Sequence, residues 1–89
     1  MKNVKKLQQI SSKLEELKSA LEELKESEET ALELLRDSFD EKSEKWQDSD
    51  KGAEVSDKIE NWESDLTSLE DAVNELDNCL MSIGSIEID

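Results

Sequence analysis

The chain predicts an all-α fold, an antiparallel two-helix coiled-coil hairpin, on three observations. Apolar residues recur at alternating three- and four-residue steps in two long tracts. A polar stretch, FDEKSEKWQDSDKGAE at Phe39 to Glu54, separates them and holds the only Phe, one of the two Trp and one of the two Gly. Pro is absent, and Glu, Lys, Leu and Ser fill the remaining positions, so nothing inside either tract opposes a helix.

The first tract runs Leu7, Ile10, Leu14, Leu17, Leu21, Leu24, Ala31 and Leu35, with Glu28 standing in a core slot. It predicts a helix over about residues 3–42. A turn over 43–48 follows, with Ser43, Asp48 and Ser49 as candidate N-caps, because a side-chain oxygen there can accept from the free N–H groups of a first helical turn. The second tract, Val55, Ile59, Trp62, Leu66, Leu69, Val73, Leu76, Leu80 and Ile83, predicts a helix over 49–83, with Asp50 and Glu54 near its positive end and Gly84 as C-cap. The whole, 1–89, reads as a single domain. In the tail at 84–89, Ile86 and Ile88 alternate with acids in a strand-like pattern, suited to a partner's sheet edge or to a frayed terminus.

Antiparallel pairing gives a specific register. With Leu7 against Ile83, the same reversal sets Ile10 against Leu80, Leu14 against Leu76, Leu17 against Val73, Leu21 against Leu69 and Leu24 against Leu66. Glu28 then meets Trp62, whose indole N–H its carboxylate can accept, and small Ala31 meets Ile59. On one flank Lys25 can reach Glu70 and Lys18 can reach Asp77. On the other, Ala20, Leu34, Ala72 and Cys79 are small or apolar, which widens the stripe beyond the needs of two helices. These four are the candidate dimer interface of a four-helix bundle; as neutral helix residues they would serve a monomer equally. Phe39 and Trp46 are expected to cover the open end of the seam where the chain turns.

Composition narrows function more by exclusion. A chain of 89 residues that is 34% hydrophobic and 3% aromatic cannot fill a thick globular core. No apolar run is long enough to span a bilayer, and the basic start has no apolar segment behind it, so an unprocessed cytoplasmic protein is expected. Cys79 is the only Cys and His is absent, which excludes an internal disulfide and leaves no zinc ligand set and no imidazole base. The stretch DSDKG resembles the opening of a calcium loop but puts Gly52 in a ligand slot and Ala53 where that loop needs Gly, so capping is the better reading. Neither a Gly-rich phosphate loop nor a basic aromatic surface is present. The expectation is a protein without enzymatic activity, cofactor or metal.

Charge is what remains. The formal net charge is −14, distributed unevenly: residues 1–25 carry six Lys and four Glu, whereas residues 26–65 carry 15 acids against five bases. An acidic rod end should repel nucleic acid and attract basic protein grooves, which permits mimicry of a phosphate backbone; a solvated acidic face that only aids solubility is the competing reading. The candidate partner-binding acids are Glu26, Glu29, Glu33, Asp37, Asp40, Glu41 and Glu44.

Across the turn, Phe39-Asp40, Glu44, Trp46-Gln47, Ser49 and Gly52 form a pattern that resembles small acidic helical-hairpin proteins encoded by bacteriophages and prophages. In those, a first helix ends in Phe-Asp, an apolar-Gln pair follows, and Ser-x-x-Gly opens a second helix rich in Glu and Leu. The resemblance implies a phage-type accessory protein that binds and inhibits a basic, nucleic-acid-binding host protein in the bacterial cytoplasm. It implies no catalytic residue or ligand. A structural module acting through self-association is the alternative.

Overall fold

The computed structural model describes residues 2–86. They form α1 (Val4–Asp40), a single-turn α2 (Glu44–Gln47) and α3 (Asp50–Gly84), with α1 and α3 packed antiparallel into a rod of 68 × 15 × 14 Å. The fold is the all-α helical hairpin that the two tracts predict. Ile88 lies outside the described residues.

The turn is more ordered than a simple reversal. α1 ends at Asp40, and the stretch expected as turn instead winds α2. Ser43 caps α2 by accepting from the Trp46 amide at 3.2 Å, and Ser49 caps α3 by accepting from the Gly52 amide at 3.2 Å while donating to the Trp46 carbonyl. The Gln47 side-chain amide donates to the carbonyls of Phe39, which also accepts from the Lys42 backbone amide, and of Lys42, and so ties α2 to the chain leaving α1. Gly52 is buried where α3 crosses α2, and a Cβ there would fall far inside contact distance of the Trp46 and Gln47 carbonyls. Phe39 and Trp46, both half-buried, meet edge to face at 5.9 Å and 67°, with Lys42 Nζ 5.4 Å from the Trp46 ring centre.

At the far end, Gly84 is the last helical residue of α3 and Ser85 is the C-cap, with φ −86°, so the expected glycine cap is replaced by a right-handed finish. Neither residue adopts the positive φ that would favour glycine.

The seam of α3 is the expected one: Val55, Trp62, Leu66, Leu69, Val73, Leu76, Leu80 and Ile83 are half-buried and Ile59 is buried. On α1 the register requires correction. Leu7, Leu14, Leu21, Glu28 and Leu35 turn inward as expected, but their companions are Ser11, Lys18, Lys25, Leu32 and Phe39, not Ile10, Leu17, Leu24 and Ala31, all of which are exposed. Leu32, 2% exposed, is the most buried side chain.

The helix has therefore rotated by roughly 50° from the expected seam, half of the ~100° between successive residues. Packing at the turn accounts for it. The rotation buries Leu32 and Phe39 in place of the smaller Ala31 and Ser38, and the Gln47 and Trp46 contacts to Phe39 hold the end of α1 in that orientation. Lys18 and Lys25 tolerate the seam edge because their methylene stems can lie over it while their amines reach acids of α3.

Candidate functional site

Three faces of α1 follow from this rotation. One packs on α3. A second carries the exposed apolar side chains Ile10, Leu17, Leu24 and Leu34, at 52, 52, 47 and 67% exposure, with Ala20 and Ala31 between them. The third is acidic.

All seven candidate partner-binding acids, Glu26, Glu29, Glu33, Asp37, Asp40, Glu41 and Glu44, are exposed. Glu26, Glu33 and Asp40 recur every seven residues and form one line, with Glu29 and Asp37 to either side. Among the described residues only Glu29 of the seven has a base within ion-pair distance, Lys25 at 3.6 Å. The remaining carboxylates are free to meet cations from outside. Glu44 stands apart from the line, in the first turn of α2.

The acidic surface continues onto α3, where the charge count of the sequence did not resolve individual positions. Glu54, Asp57 and Asp65 of α3, with Glu28 of α1, line an open groove beside Trp62, together with Lys58 and Asn61. The Trp62 indole donates to Glu28 Oε2 at 2.9 Å, as the pairing of the tracts predicts, and this bond orients the ring in the groove wall. An indole face among carboxylates suits a Lys or Arg side chain by cation–π attraction and charge pairing. Spacing alone could have indicated these acids, since Glu54, Asp57, Asn61 and Asp65 follow the helical period on one side of Trp62.

Cross-helix ion pairs hold the register. Lys18 Nζ lies 2.9 Å from Asp77 and Lys25 Nζ lies 3.9 Å from Glu70, the two expected pairs, and Arg36 adds a third to Glu63. The hydrogen bond to Asp77 raises the Lys18 pKa above its ordinary 10.5, with nearby carboxylates adding to the effect against partial desolvation. Because the folded value is raised, whatever this pair contributes is fully present below that ordinary value and is lost as pH rises through the folded one.

The four candidate dimer residues do not share one surface equally. Ala20 and Leu34 lie on the exposed apolar face of α1, Cys79 is exposed on α3, and Ala72 is half-buried. Among the described residues, no group of three or more Cys, Asp or Glu side chains is gathered to hold a metal ion, and no helix is long and apolar enough to cross a membrane.

No known family, characterised protein or solved structure matches this chain.

Proposed function

We propose that this protein is a non-enzymatic, phage-type accessory protein that works in the bacterial cytoplasm by docking the acidic, turn-proximal half of its hairpin on the basic surface of a host protein. The reading rests on one observation above others: the line Glu26, Glu33 and Asp40 with its exposed neighbours presents carboxylates to solvent with almost no compensating base. A basic groove that evolved for phosphates offers a surface of matching sign, and occupying it would inhibit nucleic-acid binding. The resemblance of the turn residues to phage hairpins supports the same reading, while the groove at Trp62 supplies a place for one basic side chain to insert.

A second reading has its own observation. The apolar face of α1 favours self-association, as a homodimer or assembly module, because four large side chains are left about half exposed or more. Salt separates the two, since charge-steered docking weakens as ionic strength rises and hydrophobic packing does not.

The deciding experiment is affinity capture from bacterial lysate at low and high salt, with retained proteins identified by mass spectrometry, in parallel with the variant Glu26→Lys/Glu33→Lys/Asp40→Lys. The expected outcome is a nucleic-acid-binding protein that the native hairpin retains at low salt, that high salt or competing DNA releases, and that the variant fails to retain. Retention by the variant, or no retained basic protein, overturns the docking reading.

A further inference from the structure

The exposed apolar face of α1 is a second heptad seam. Its positions are Ile10, Lys13, Leu17, Ala20, Leu24, Ser27, Ala31 and Leu34, alternating by three and four residues along roughly 36 Å of helix at 1.5 Å per residue. It lies about 100° around α1 from the face that packs on α3, by the same helical geometry. Two seams about a right angle apart let one helix pack on two neighbours at once, here α3 and one further helix.

The content of the seam identifies the neighbour. Reversed upon itself about residue 22, it sets Ile10 against Leu34, Leu17 against Ser27, Leu24 against Ala20 and the Lys13 stem against Ala31. A large side chain meets a small one in three of these layers, and the Ile10 and Leu34 pair closes each end, so the surface is complementary to itself. α3 offers nothing comparable among the described residues, since Met81 is the one large apolar side chain exposed on it.

Charge gives the orientation. Residues 1–21 carry five Lys and two Glu, and residues 23–43 carry eight acids and three bases. An antiparallel pair of α1 helices brings these unlike halves together, with Lys2, Lys5 and Lys6 of one copy beside Asp37, Asp40 and Glu41 of the other. A parallel pair would set like halves side by side, in a chain that already carries a net −14.

We infer that the occupant of this face is a second copy of the chain, packed α1 against α1, antiparallel, with its two-fold axis beside residue 22. This deepens the self-association reading above and stands apart from acidic docking. It also moves the interface from the flank residues Ala72 and Cys79 to a seam wholly on α1.

Two measurements test it. Sedimentation equilibrium of the native chain should give twice the 10.2 kDa of one copy, and Leu17→Glu/Leu24→Glu should return it to one copy with far-ultraviolet helicity unchanged, because both residues are already half exposed in the single hairpin. A native chain that sediments as one copy removes self-association altogether. For the register, single variants Ile10→Cys and Leu34→Cys, each made on Cys79→Ser, are mixed and mildly oxidised. The expected product is the mixed Ile10→Cys/Leu34→Cys disulfide, with neither variant crosslinking alone. A dimer that instead crosslinks Ile10→Cys to itself, or that fails to crosslink the mixture, keeps self-association and overturns this packing.

Discussion

At the scale of single residues, size and position along α1 decide more than hydrophobicity. Leu17 and Leu32 are the same side chain on the same helix, yet one is half exposed and the other is buried. Leu32→Ala should therefore cost about 2–4 kcal/mol, as for a buried leucine truncated to leave a cavity, whereas Leu17→Ala should cost the isolated hairpin well under about 1 kcal/mol. Urea denaturation of the two variants, compared at low protein concentration, checks the difference; equal losses would restore the seam that the leucine spacing first suggests. The glycines divide in the same way. Gly52→Ala forces a methyl into the α2 and α3 crossing and should shift the melting temperature down by several degrees, while Gly84→Ala meets open space and should be neutral or raise stability by up to ~1 kcal/mol through helix propensity. Thermal melts followed by circular dichroism would show which glycine the fold requires.

Between elements, the turn acts as the register device of the hairpin. Phe39, Trp46, Gln47, Ser49 and Gly52 lie within the polar stretch between the two leucine-rich tracts, and each contributes locally to the structure. Phe39 and Trp46 pack ring on ring, Gln47 clamps carbonyls at the end of α1, Ser49 caps α3 and Gly52 permits the close crossing. Gln47→Ala removes one hydrogen bond from each of the Phe39 and Lys42 carbonyls, and the expected result is a loss of about 1 kcal/mol together with faster amide exchange over the last turn of α1. Unchanged exchange there would show that Phe39 is held by its ring contact alone. The cross-helix ion pairs at Lys18, Lys25 and Arg36 sit on partly exposed side chains and select the alignment more than they stabilise it.

For the whole molecule, charge density sets behaviour. A net −14 on a rod 68 Å long repels itself, and the acids outnumber bases three to one around the turn. Raising sodium chloride from about 20 to about 500 mM should raise the melting temperature, because screening relieves this repulsion faster than it weakens the few cross-helix pairs. A melting temperature that fell with salt would mean that ion pairs outweigh net repulsion. The same screening should abolish capture of a basic partner, so one salt series separates what charge does to folding from what it does to binding.

The sequence by itself determined the two long helices, their antiparallel order, the seam of α3, the Trp62–Glu28 bond and the Lys18–Asp77 and Lys25–Glu70 pairs, because helical period and charge placement are local properties of the chain. It also placed five of the candidate acids, Glu26, Glu29, Glu33, Asp37 and Asp40, on α1, which needed only their number and spacing. The rotation of α1 was decided by tertiary structure. Leu7, Leu14, Leu21 and Leu35 are compatible with either of two neighbouring companion stripes, and spacing ranks the stripe of Ile10, Leu17 and Leu24 first. Phe39, clamped by Gln47 and packed on Trp46, draws Leu32 inward and turns that stripe out. An anchor at one end of a stiff helix sets the facing of every residue along it, and such an anchor forms only when the turn has folded.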